Sequence, residues 1–295
     1  MYNKLMLGII LALFCAVFVA LSQITLRKSY RELQPSIAFF FDAVFGLLIW
    51  MPLALVMGVN FGVSLKEALF FAFISAILSE AIVFFALSKG ELAVTATVLA
   101  TYPVYTVFFS RIINQEELST GLLFFVGVAI LGSVWASLPE KVKKTDLRLR
   151  KEIVWPFVAA VCIGLSDTIS KGYINRSGDF SFLFMLGFVQ IPVALAYLRI
   201  ERESVVKAIK GTVQKFSNYR YALLGGLFNI IGTGFLWLSF SYAPASIASP
   251  ITGTSGALTV LLSHYVLRDR ISLRKYFAIV VTFVGVLGII ILRVD

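Results

Sequence analysis

The chain has 295 residues, 59% of them hydrophobic and only 14% charged, with a formal net charge of +10 and a mean hydropathy of +0.91. Soluble domains run nearer half apolar and a quarter charged, so this chain has too little polar surface to cover itself in water. Two cysteines, Cys15 and Cys162, and one histidine, His264, leave no ligand set for zinc, haem or an iron–sulfur cluster, and no cofactor or metal is expected.

A helix rises about 1.5 Å per residue and the hydrocarbon layer is about 30 Å thick, so a span needs roughly 20 apolar residues. Ten runs qualify: residues 5–26, 36–58, 67–88, 92–113, 119–138, 153–171, 180–198, 219–242, 245–267 and 273–292. The first run is too long for a signal-peptide core and lacks a convincing cleavage site. Alternating ten-residue strands are absent, which disfavours a β-barrel. The longest polar stretches are 139–152 and 199–220. The first separates one five-helix unit, 1–138, from a second, 153–295. The second carries Glu201, Glu203, Lys207 and Lys210 in an amphipathic pattern that suits the membrane surface. The basic residues lie beside spans, where anionic lipid accounts for them better than nucleic acid.

The two units resemble each other. Residues 106–119 (TVFFSRIINQEELS) align with 259–272 (TVLLSHYVLRDRIS) at an offset of 153. Thr106, Val107, Ser110 and Ser119 recur as Thr259, Val260, Ser263 and Ser272, and Gly132 recurs as Gly285. Leu21-Ser22-Gln23 in the first span resembles Leu165-Ser166-Asp167 in the sixth, and Pro52 and Pro192 fall in similar segments. Five spans per unit is an odd number, so the second unit enters the membrane from the opposite side, as in the inverted repeats of secondary transporters. The expected fold is all-α integral membrane, ten transmembrane helices as two inverted five-helix repeats.

Two signatures carry a family resemblance. One is Glu116-Glu117-Leu118-Ser119 and Asp269-Arg270-Ile271-Ser272 after the fourth span of each unit. The other is the small-residue opening of spans four and nine, Ala93-Val94-Thr95-Ala96 with Tyr102-Pro103-Val104, and Ala243-Pro244-Ala245-Ser246-Ile247-Ala248. On these the chain resembles the EamA-like branch of the drug/metabolite transporter superfamily. The resemblance implies export or exchange of a small organic solute (an amino acid, amine or related metabolite) by alternating access in the cell membrane. It also implies a central cavity lined by spans 1, 3, 4, 6, 8 and 9. The second unit departs from the pattern: Ser255-Gly256-Ala257 stands where the first has Tyr102-Pro103-Val104, with Pro250 earlier, which predicts a displaced kink in span nine.

Ionisable groups in hydrocarbon cost roughly 2.5–3.5 kcal/mol each on insertion scales and are usually paired or face a cavity. Glu80, mid-span, is the strongest candidate, as a ligand for a cation or amine or as a proton-coupling carboxylate; the bland alternative is a hydrogen bond to a neighbouring helix. Asp167 and Lys171 are four apart and can pair, for coupling or gating. Asp42 lies near a span end, where snorkelling or capping is expected. Asn229, Gln23 and Gln190 are amides at membrane depth, fit either for solute or for helix packing. Tyr102, Tyr105, Trp237, Thr252 and Ser255 are candidates for the cavity wall, against a background of 27 Phe. Pro103 and Pro250 remove backbone donors and free carbonyls inside the membrane, so they mark helix breaks. His264 falls near a span end, where capping is favoured over a proton relay.

A membrane-embedded enzyme or lipid-handling protein is the alternative, and a non-transporting receptor or scaffold a third; no His/Asp/Ser set, intramembrane aspartate pair or metal cluster supports catalysis. No Walker A motif is present for ATP-driven work. Oligomeric state is open. If the termini are cytoplasmic, that side carries Lys4, Lys66, Arg111, Lys171, Arg176 and Arg293, six of the 26 basic residues, and the other side 20. The positive-inside rule then places both termini outside, whereas the resemblance implies cytoplasmic termini. On the charge count, a C-terminal reporter active only in the cytoplasm stays silent; activity there reverses the orientation.

Overall fold

The computed structural model describes residues 2–61, 65–89, 92–138, 151–267 and 272–294. The connection at 139–150 and the triplet Asp269-Arg270-Ile271 lie outside the described residues. The described residues form helices joined by short turns, with no strand among them. In chain order the spans are span 1 (Tyr2–Ser29), span 2 (Pro35–Met57), span 3 (Leu65–Ser75, Ala76–Ala81 and Ile82–Lys89), span 4 (Leu92–Leu99 and Tyr102–Ile113) and span 5 (Thr120–Ser137). The second unit comprises span 6 (Lys151–Ser177), span 7 (Asp179–Ile200), span 8 (Phe216–Phe240), span 9 (Ala245–Gly253 and Ser255–Leu267) and span 10 (Leu273–Val294). Large apolar side chains such as Phe14, Leu48, Phe108, Phe124, Leu131, Phe188 and Ile291 point outward, which only lipid can solvate cheaply.

The expected stretch 199–220 holds a short helix, Val205–Gln214. Ser204 caps it by accepting from the Lys207 amide at 3.2 Å, and Val206, Ile209 and Val213 form its exposed apolar stripe. That geometry suits a helix lying in the interface.

Three spans are not the uniform helices that hydropathy predicts. Span 4 stops at Leu99 and restarts at Tyr102, and the apolar stretch across that break, Thr97–Ile113, is shorter than the other spans. Span 9 breaks at Thr254. The breaks sit at the same repeat position, since Thr101 and Thr254 are 153 apart. Each is closed alike: Thr101 Oγ1 donates to the Val98 carbonyl and Thr254 Oγ1 to the Ile251 carbonyl, both at 2.6 Å. The predicted displacement of the second break to Pro250 is therefore incorrect. Pro250 lies inside the helix Ala245–Gly253, and the threonine, not the proline, marks the break. Span 3 widens into a π-helical turn, Ala76–Ala81, where the Ile82 amide reaches back to Ile77 O; such turns often occur at functional sites.

The packing has two-fold pseudosymmetry. Spans 2 and 7, 4 and 9, and 5 and 10 pack on their own repeat counterparts, while span 1 packs on span 8 as span 6 packs on span 3. Gly132 approaches the Thr282 backbone and Gly285 the Ala129 backbone, such that an added Cβ would stand 2.6 Å and 2.4 Å from the facing amide nitrogens. Since 132 and 129 become 285 and 282 under the same offset, this is one contact made twice across an inverted axis. Without a hydrophobic drive between helices in lipid, such small-residue crossings carry the packing.

Replacing Gly285 by Val should lower stability by about 1–3 kcal/mol, as overpacking does. Gly127→Ala, where a Cβ meets nothing within 4 Å, should leave it unchanged. Thermal unfolding in detergent distinguishes the two.

Candidate functional site

The two broken spans meet near mid-depth. Gly253, the last helical residue before the second break, faces Pro103, just after the first; a Cβ there would stand 2.5 Å from the proline ring. Beside this crossing lies a cavity of about 100 Å³ lined by spans 1, 3, 4, 6, 8 and 9. At about 10–15 Å³ of such space per water-sized group, it has room for a solute of roughly seven to ten heavy atoms. Its wall includes Cys15, Gln23, Tyr102, Asp167, Asn229 and Trp237.

Two symmetry-related pairs frame it. Asp167 accepts a hydrogen bond from Thr106 Oγ1 at 3.3 Å, and Gln23 Oε1 accepts one from Thr259 Oγ1 at 3.0 Å. Thr106 and Thr259 are the matched threonines of the repeat, and Ser-Gln and Ser-Asp are the matched dipeptides. The serines serve the flanking seams: Ser22 Oγ donates to Gly225 O at 2.8 Å, and Ser166 Oγ donates to Ser75 Oγ at 3.1 Å. The pattern breaks at one atom type, because the first unit contributes an amide and the second a carboxylate. Asp167 also accepts from Ser249 Oγ at 2.6 Å. Both donors serve Oδ2; Oδ1 is buried without a partner, as is the indole nitrogen of Trp237. Two residues of the wall thus keep one acceptor and one donor that the protein itself leaves unused.

The remaining candidates separate. Tyr102 donates its hydroxyl to Ser249 O at 3.1 Å, and Thr252 and Ser255 line the cavity. Tyr105 does not; it packs edge-on against Phe157. The anticipated Asp167–Lys171 pair does not form either. Lys171 Nζ donates to the Phe240 carbonyl at the end of span 8, the ordinary place for a cation among unsatisfied carbonyls. Glu80 and Gln190 are outside the cavity. The Gln190 amide donates to Glu80 Oε2, and Glu80 meets Asp42. The expectation for Asp42 is overturned: it is fully buried and accepts from Asn229 Nδ2 at 3.0 Å. Its distance along span 2 concealed this, because Phe39, Phe40 and Phe41 before it are themselves buried between helices. His264 lies between the rings of Tyr265 and Tyr276, away from the cavity.

The cavity runs from Cys15 and Asp167 towards Gln23, Val83, Leu99 and Ile163, the end that bears the basic connections. At the other end lies the turn between spans 8 and 9. That turn rests on span 1, where a Cβ at Gly8 would stand 2.8 Å from Ala243 Cβ. Span 9 opens at Pro244 with no side-chain cap of its own, and Glu116 of the opposite unit supplies one. Its carboxylate accepts from the Ala245 and Ser246 amides at 3.0 and 2.9 Å and from the Ser246 hydroxyl. Gln115, with φ of 53°, is in the left-handed region that turns the chain just ahead of Glu116. The sequence signature exposed this glutamate without disclosing its task; the hint available was a helix start with proline and alanine where a capping residue belongs. Among the described residues no three His, Cys, Asp or Glu gather to hold a metal.

Charge-assisted bonds to helix amides are about twice as strong as neutral ones. Glu116→Ala should therefore destabilise the protein by about 1–2 kcal/mol, and Glu116→Gln by less, read as the shift in thermal unfolding.

Comparison with known proteins agrees with this architecture. The EamA-like transporter family matches residues 6–138 and 150–291, one match per unit. An uncharacterized transporter of Archaeoglobus fulgidus is 32% identical over 135 residues, 43% of this chain and 48% of that protein; the aligned stretch spans about half of the relative. A solved crystal structure superposes with a TM-score of 0.76 over 97% of both chains at 14% identity, a likeness of fold. Matched along both units, this multi-pass membrane protein belongs to the EamA-like transporter family.

Proposed function

We propose that the chain is a secondary transporter that exports a small organic solute bearing an amine, by alternating access around Asp167. The observation that carries this reading is that two residues of the cavity wall, Asp167 and Trp237, each keep a buried polar atom, Oδ1 and the indole N–H, without a partner in the protein. An ammonium group supplies donors to the first, and a carboxylate, carbonyl or hydroxyl on the same solute accepts from the second. Amino acids and aromatic amines have both groups and fit the space. Trp237 and Tyr102 add aromatic faces, which attract cations by about 0.5–2 kcal/mol.

The closed end supports a rocking motion. Glu116 joins the units by a few hydrogen bonds, while the glycine crossings Gly132–Thr282 and Gly285–Ala129 are tightly packed backbone contacts. Exposure of Asp167 to the far side needs release of the span 8–9 turn and closure of the basic end. Inverted halves can do this because each end is built from equivalent parts. Glu80 is assigned the coupling role, with a proton as the partner ion; it is held by Gln190 and Asp42 away from the solute cavity.

In proteoliposomes, flux of labelled amino acids and monoamines is expected for one class of solute. Asp167→Asn should lower it at least tenfold while the protein remains folded, and Glu80→Gln should abolish or uncouple it. Flux by Asp167→Asn at the rate of the unaltered protein removes Asp167 from the site, and absence of flux for the whole panel contradicts the substrate class.

A further inference from the structure

Beside the cavity lies a second polar cluster that solute recognition does not use. Asp42 of span 2, Glu80 of span 3 and Gln190 of span 7 are exposed by 0, 1 and 0%. The π-helical turn of span 3 places Glu80 there, and Gly46 leaves room for Gln190, whose Oε1 would stand 2.4 Å from a Cβ at that position. Asn229 Nδ2 serves Asp42 Oδ1, and the Gln190 amide serves Glu80 Oε2. The other two carboxyl oxygens, Asp42 Oδ2 and Glu80 Oε1, are buried without a partner, on spans 2 and 3, whose segments pack together here.

A carboxylate only accepts. Neither oxygen is satisfied by the other while both groups are ionised, and a bound proton on one of them supplies the missing donor. Among the described residues no lysine or arginine pairs with either group. The titratable groups around the pair are Tyr30, just past span 1, and beyond it Tyr197 and Glu201. Burial pushes the Tyr30 phenol well above its ordinary value, with Tyr197, Asp42 and Glu201 adding to the effect, so Tyr30 is a neutral hydroxyl. Two like charges in this apolar surround would cost several kcal/mol; one proton removes one of them.

We infer that Asp42 and Glu80 together form a single-proton site, and that Asn229 connects it to the solute cavity. Asn229 has two faces: it lines the cavity and it bonds Asp42. With the proton bound, Asp42 is a weak acceptor and the Asn229 amide is available to a solute. With the proton released towards the basic end, the added negative charge draws Asn229 Nδ2 back to Asp42 and weakens the solute's hold. Proton and solute then influence each other by equal factors, as linkage requires. The use of this site in coupling rests on the transport reading above; its existence does not.

The test is infrared spectroscopy of the full chain reconstituted in lipid at neutral pH. A carbonyl stretch of a protonated carboxyl, shifting in heavy water, is expected in the unaltered protein and in Asp167→Asn. It should vanish in Glu80→Gln and in Asp42→Asn, where an amide replaces the shared proton as donor, and change frequency in Asn229→Leu. Absence of the band in the unaltered protein, or its persistence in both amide variants, overturns the proposal. No solute enters this measurement, so a failure here and a failure of flux in liposomes are separate results.

Discussion

The structure depends on two interruptions. Thr101 and Thr254 end helices in the middle of the membrane, where an open backbone is tolerable only if something compensates it. Each threonine does part of this itself by bonding a carbonyl three residues back. The crossing of Pro103 over Gly253 then fixes how closely the broken spans approach. Continuous helices at these positions would leave no reason for a polar wall between the units. The broken ones leave a pocket of small residues and hydroxyls into which Asp167 can point.

Symmetry explains most of that pocket and asymmetry explains its chemistry. Ser22-Gln23 with Thr259, and Ser166-Asp167 with Thr106, are the same construction used twice. An inverted pair of identical units would have two equal walls. Here one wall has a carboxyl group and the other an amide, and the proposed reading places the solute's cationic group at span 6 on that single difference. The second charged cluster, Asp42 with Glu80, belongs wholly to the first unit. Each unit thus holds one ionisable function, and Asn229 of span 8 bonds Asp42 while lining the same cavity as Asp167.

Much of the fold was legible in the sequence because lipid imposes a simple rule: about 20 apolar residues per span. The matched threonines and glycines were legible too, since contacts across an inverted axis must recur in both units. Three things were not. Pro250 was a stronger visible cue than Thr254, yet a proline can continue a helix when neighbouring groups satisfy the carbonyls it frees. Asp42 appeared shallow by counting residues, but burial depends on what packs outside a helix as well as on depth. Lys171 was matched to Asp167 by spacing on one helix, while the Phe240 carbonyl on span 8 offered it a better partner. For Asp42 and Lys171 the deciding contact came from another span, which local spacing cannot show.

In the proposed mechanism Glu116 is the joint, because it ties one unit to the helix start of the other. The most direct measurement replaces Cys15 and Cys162 by alanine, places cysteines at Glu116 and Ser246, and joins them with a short thiol cross-linker. The account predicts that cross-linked protein in liposomes loses solute flux, while the same double variant without linker retains most of it. Undiminished flux with the two residues covalently joined would mean that this end never opens, and the rocking of inverted halves about Asp167 would be wrong.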